Sequence, residues 1–130
     1  MQWDDIVTGA SLNVDENLSQ HDAWWTAVPF SQRGLPPNDA GATVIQYDPS
    51  TGYMMWAVSY LNTEWTWNRT CSLNQASKIA DARVISTHEV GHWLVLEHDP
   101  SHTEAVMWPN YTCKLQTTTD DRNGAKHLYP

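Results

Sequence analysis

Three histidines, at positions 88, 92 and 98 of the stretch His88-Glu89-Val90-Gly91-His92-Trp93-Leu94-Val95-Leu96-Glu97-His98, constrain this chain more than any other feature. A helix over residues 82 to 94 places His88 and His92 one turn apart on one face, where both imidazoles reach a single metal ion, with Glu89 beside them. His98 cannot join from the same helix, because at about 1.5 Å per residue it would stand roughly 15 Å along the axis from His88. If all three rings are to meet, the chain must turn back after about Leu94. Zinc suits such a set: it is borderline soft, takes neutral imidazole nitrogen, and in catalytic sites holds three protein ligands and one open position. The plainer reading is a histidine-rich surface helix.

These eleven residues resemble the long zinc-binding consensus of the metzincin peptidases, HExxHxxGxxH. Ala105-Val106-Met107-Trp108-Pro109 looks like their Met-turn, and Leu115 to Tyr129 is similar to the C-terminal helix of the matrixin branch. The resemblance implies an α+β fold: a small twisted mixed sheet packed on the active-site helix, with the Met-turn and a C-terminal helix in a smaller lower half. It implies a single metallopeptidase domain over residues 1–130, the upper part to about residue 94 and the lower part from about 95. The last fifty or so residues carry the likeness; the first seventy match loosely.

Two positions depart from the pattern. Val95 stands where the family has glycine, at the point where the backbone leaves the helix for the third histidine. A β-branched residue with positive φ there costs roughly 1 to 3 kcal/mol, so either this turn uses an ordinary dihedral or it carries strain. Asp99 follows His98, where matrixins more often have a small hydroxyl residue.

The net charge of −8 argues against nucleic acid as a partner, since phosphates reward lysine and arginine. No apolar run is long enough to span a membrane. Met1-Gln-Trp-Asp-Asp is acidic where a signal peptide is basic and then apolar, so the expectation is a mature fragment of a secreted protein, without signal or propeptide. Eight tryptophans against one phenylalanine suit half-buried walls and sheet faces, where the indole N–H finds a partner. The two cysteines, Cys71 and Cys113, form an even pair in a presumptive secreted domain and favour a disulfide over two buried thiols. Such a bridge would tie the entry of the metal helix to the segment after Met107.

Along the chain, residues 1 to 18 have no clean period, and His21 to Val28 is expected to be a short helix ending before Pro29. Ser31 to Gly41 is a loop rich in Gly, Pro, Asn and Asp. Thr43-Val44-Ile45-Gln46-Tyr47 and Tyr53 to Tyr60 are two strands of a hairpin turning at Asp48-Pro49-Ser50-Thr51-Gly52. Residues 61 to 68 form a further strand or an ordered loop, Cys71 to Ala80 is a polar connection, and Asp81 caps a helix that begins at Ala82. Asn17, Asn68 and Asn110 fit the glycosylation pattern. Asp4-Asp5, Asp15-Glu16 and Asp120-Asp121 are solvated surface charge or, as in related peptidases, calcium ligands.

The function implied is a zinc-dependent endopeptidase acting as a monomer on peptide or protein substrates, in a shallow cleft open at both ends. His88, His92 and His98 would hold one zinc, and Glu89 would act as general base toward the attacking water. Thr43 to Tyr47 is the candidate edge strand for an extended substrate. By resemblance, Met107 is an apolar floor beneath the ligands. Pro109, Asn110 and Tyr111 resemble the wall of an apolar pocket for the side chain after the cut, and Asp120 or Asp121 anchors the lower half. His21, His102 and His127 remain as solvated side chains or members of a second metal site. The competing function is a catalytically silent zinc-binding domain used for recognition or adhesion, with Val95 marking a degraded site; Glu89 argues against it, because a structural zinc has no use for a base.

Overall fold

The structure, a computed structural model, describes residues 23–129. Residues 1–18, His21, Asn17 and the acidic pairs Asp4-Asp5 and Asp15-Glu16 lie outside the described residues. Residues Ala23–Val28 form a strand, β1, where the sequence suggests a helix. Trp24, Trp25, Thr26 and Val28 are aromatic or β-branched, and a parallel partner decides the matter: β1 runs beside β3 (Met54–Asn62) in register from Ala23 against Ala57 to Val28 against Asn62.

The strand β2 (Gly41–Tyr47) pairs antiparallel with β3, giving a mixed three-stranded sheet in the order β1-β3-β2. The connecting turn is tied by the Asp48 N–H donating to Tyr53 O at 2.9 Å and the Ser50 N–H donating to Asp48 Oδ1 at 2.8 Å. Two short strands, β4 (Thr66–Asn68) and β5 (Ile79–Asp81), form a separate parallel pair. The stretch read as a polar connection therefore ends in a strand. The Asn68 side-chain amide donates to Ser72 O at 2.8 Å and to Ala80 O at 3.0 Å, tying β4 to β5 and to the segment that leads into it.

Directly after β5 comes the helix α1, Ala82–Trp93. Asp81 is fully buried and caps it, accepting the Arg83 N–H at 2.8 Å, while the same carboxylate takes the Cys71 N–H at 2.7 Å and the Arg83 guanidinium at 2.7 Å. The side-chain bond from Arg83 above all holds the Asp81 carboxyl well below the usual carboxylate range. Cys71 and Cys113 form a disulfide, 42 residues apart in sequence with Cα atoms 5.4 Å apart. In the chain-entropy account this closure stabilises by about 4 kcal/mol.

One core lies on the sheet side of α1, where Ile85 packs with Ala40, Trp65 and Ala80. A second lies beneath its C-terminal end, where Leu94 packs with Val106, Met107, Ala125 and Tyr129. The helix α2, Thr119–Leu128, closes that side and begins with a reciprocal cap between Thr118 and Asp121. Among the described residues no helix is long and apolar enough to cross a membrane.

Candidate metal centre

His88 and His92 project from α1 with ring centroids 5.0 Å apart, and His98 returns to lie 5.0 Å from each. One donor nitrogen from each ring falls within 4.8 Å of the other two. The return is made by a helix-ending turn in which the Val95 N–H donates to His92 O at 2.9 Å and the Leu96 N–H to Gly91 O at 3.2 Å. Such a turn needs a left-handed residue after the helix. Val95 occupies that place at φ 62°, so of the two readings left open by the sequence the strained one holds.

Two carbonyl groups set the imidazoles. His92 Nδ1 lies 2.7 Å from Leu96 O, and His88 Nδ1 lies 2.7 Å from Val106 O. A carbonyl only accepts, so each Nδ1 carries the proton and each Nε2 is left as a free donor to a cation. His88 Nε2 stands 3.0 Å from His98 Nε2. Burial lowers the His88 pKa to about 4, assisted by the neighbouring His92, and lowers that of His92 too. Both rings are therefore neutral near pH 7, the form that binds metal. The donor set suits zinc: two nitrogens sharing a tetrahedral ion at 2.0–2.1 Å stand about 3.4 Å apart, against 3.0 Å for His88 and His98 and at most 4.8 Å for any pair of the three.

Glu89 is buried behind this cluster, and desolvation pushes its pKa up to about 7 against the opposing Thr43 hydrogen bond. The Thr43 hydroxyl donates to Glu89 Oε2 at 2.5 Å. Thr43 Oγ1 is also 2.6 Å from Ser59 Oγ, and having given its one proton to Glu89 it must accept there from Ser59. Ser59 in turn accepts the Trp93 indole N–H at 2.8 Å. A directed chain of hydrogen bonds thus runs from the end of α1 across two strands to the carboxylate. Gly41 gives the carboxylate its space: a Cβ there would come 2.8 Å from Glu89 Oε1 and 2.6 Å from Ile85 Cγ2. Thr43 is read from sequence only as an edge-strand residue; Ser59, Trp93 and Gly41 carry no local signal for this work.

Met107 is buried in the lower core. Its N–H and that of Val106 donate to Asp121 at 3.2 and 2.9 Å, so the segment presenting Val106 O to His88 is pinned by the first turn of α2. Tyr111 lies edge-on to His88 at 6.4 Å and to Trp65 at 6.2 Å, with its hydroxyl 3.4 Å from the Gly41 nitrogen. Asn110 and Tyr111 line a cavity of only about 10 Å³ against His88, Val84 and Trp108; Pro109 is not part of its lining. Along the other side of the cluster a cleft of about 640 Å³ runs between Thr43, Ile45 and Tyr47 and the rings of His92 and His98. Among the described residues, β3 occupies one side of β2 and no strand pairs with the other side of residues Thr43 to Tyr47.

The remaining candidates separate. His102 is paired with Asp99 at 2.7 Å and lies 3.6 Å from Asp120, a group apart from the first that also brings three metal-capable donor atoms within 4.8 Å of one another. Asp121 is buried and not solvated surface charge: it accepts from Thr118 in the cap and from the Val106-Met107 amides, and belongs to neither donor group. His127 joins neither donor group among the described residues.

A mixed sheet over a helix that carries two histidines and a glutamate, with a third histidine on the returning chain, is compatible with the α+β fold of the metzincins. The matrixin family model matches residues 13–130. Metalloendoproteinase 1-MMP of Arabidopsis thaliana is 38% identical over an alignment of 133 positions, which covers 98% of this chain and 35% of the relative. The chain belongs to the matrixin family, and it spans about a third of the length of that curated relative.

Proposed function

We propose that this chain is a zinc-dependent endopeptidase of extracellular protein or peptide substrates, with His88, His92 and His98 as the metal ligands and Glu89 as the general base. The observation that carries the reading is a pair of imidazoles kept neutral by burial and oriented by Leu96 O and Val106 O, meeting a third beside a buried carboxylate. When bound, zinc supplies Lewis acidity, polarising a carbonyl and lowering the pKa of water from 15.7 toward about 7.

Glu89, aimed by Thr43, takes the proton of the water that attacks the peptide carbonyl. As the C–N bond breaks, the same carboxyl delivers that proton to the departing amine. No nucleophilic side chain is required. The free edge of β2 from Thr43 to Tyr47 supplies backbone donors and acceptors to an extended substrate. Pro109, Asn110 and Tyr111 are read, by resemblance to the family, as the wall of a pocket for an apolar side chain after the cut; Asn110 and Tyr111 lie beside His88. Met107 serves as the apolar floor of the ligand-bearing segment. One copy of the chain provides every group, in keeping with a monomer. The disulfide is in keeping with an oxidising compartment.

The test is a quenched peptide library. Cleavage should vanish with a chelator, return with zinc, and be absent in Glu89→Ala protein that still binds the metal. A zinc-loaded protein that turns over nothing across a broad pH range supports the silent recognition domain instead.

A further inference from the structure

We propose that His102 is a positioning residue for the third metal ligand: bridging Asp99 to Asp120, it clasps the loop that carries His98 onto the first turn of α2. The proposal rests on the zinc reading above. It starts from an asymmetry among the three imidazoles. His88 and His92 each set Nδ1 against a backbone carbonyl, whereas among the described residues no carbonyl meets a ring nitrogen of His98, whose Nε2 faces only His88 Nε2. The direction of the third ring is therefore left to its backbone, and that backbone is fixed through the next residue.

Asp99 is tied at three atoms. Its N–H donates to Met107 O at 2.8 Å, its Oδ1 accepts the Ser101 N–H at 2.8 Å, and its Oδ2 accepts from His102 Nδ1 at 2.7 Å. The same Nδ1 lies 3.6 Å from Asp120 Oδ1, on the first turn of α2. Oxygens of Asp99 and Asp120 stand within 4.8 Å of each other, so without the ring between them two like charges would push the loop away from the helix. The rest of the loop is closed by the Ala105 N–H on His102 O at 3.0 Å and by Lys114 Nζ on Ala105 O at 2.8 Å.

A ligand that must be ordered when the ion arrives lowers the apparent affinity by the fraction of time it stands in place. The His102 side chain is 48% exposed, so its contacts add little to global stability. What they govern is local: the order of residues 98–107 and the hold on the ion.

The experiment titrates zinc against a competing chelator, and cobalt(II) in place of zinc reports the ligand field of the three nitrogens. In His102→Ala the zinc Kd should rise about three- to tenfold, the cobalt spectrum should change, and amide exchange should quicken over residues 98–107, while the Tm of the metal-free protein shifts by less than about two degrees. His102→Asn sets an amide N–H near the place of Nδ1 and should recover most of the loss. A zinc Kd and a cobalt spectrum unchanged in His102→Ala overturn the clasp. Two equivalents of zinc per chain, falling to one in His102→Ala, would make the three side chains an ion site and overturn it as well. If the wild-type protein binds no zinc, the zinc reading fails, and amide exchange in the metal-free protein decides the clasp alone.

Discussion

The hydroxyl of Thr43 lies 2.5 Å from Glu89 Oε2 and is the link through which the sheet fixes the direction of the buried carboxylate. Thr43→Val keeps the shape of the side chain and deletes the proton. A hydrogen bond to a charged group contributes about 1.5 to 3 kcal/mol, so kcat should fall by roughly ten- to a hundredfold while zinc content and KM change little. Thr43→Ser should restore most of the loss. An unchanged kcat in Thr43→Val would show that Glu89 is aimed by other groups.

At Val95 the expected outcome is a gain. Val95→Gly removes the positive-φ cost of about 1 to 3 kcal/mol, offset by about 0.5 to 1 kcal/mol for the greater backbone freedom of glycine when unfolded. The balance predicts a Tm a few degrees higher, with zinc affinity and turnover equal or improved. A lower melting temperature would mean that the valine side chain contributes more by packing than its backbone costs.

Gly41 predicts the opposite sign. Gly41→Ala places a methyl 2.6 Å from Ile85 Cγ2 and 2.8 Å from Glu89 Oε1, closer than atoms pack. Overpacking of this kind costs about 1 to 3 kcal/mol, and the group that yields most readily is the carboxylate. Activity should therefore drop further than the melting temperature suggests. Comparing kcat with thermal stability for this one variant separates the two effects.

Asp81 governs behaviour in acid. Its folded pKa is depressed below the ordinary 3.8, chiefly by the Arg83 side chain, so the stability it contributes is fully present above that value and lost as pH falls toward the folded pKa. Melting temperature should decline on acidification below about pH 4, and Asp81→Asn should start lower and decline less steeply over the same range. Parallel acid limbs for the two proteins would assign the decline to other groups.

The parts of this molecule that were legible in the sequence are those whose geometry is local. The spacing of His88 and His92, the cap at Asp81 and the turn residues of the hairpin each act within a few positions, and α1 and the β2–β3 hairpin follow from them. β1 was not legible, because Ala23–Val28 becomes a strand through a partner more than thirty residues away. The hydroxyl pair Thr43 and Ser59 is hidden for the same reason: alternation gives a residue its face, and only the register of two strands sets those oxygens together. Gly41 reads as the end of a glycine- and proline-rich loop, and its closeness to Glu89 exists only once α1 lies under the sheet. Val95 marked the turn as unusual, but the sign of its φ had to come from the backbone.

Asp121 has a reach that its position conceals. It caps α2, holds the amides of Val106 and Met107, and through the Val106 carbonyl steadies His88. Cation affinity is thereby mortgaged to a helix that donates nothing to the cation. A chain cut short before Thr118 should keep all three imidazoles in its sequence and still hold zinc weakly, its first ring free to spin.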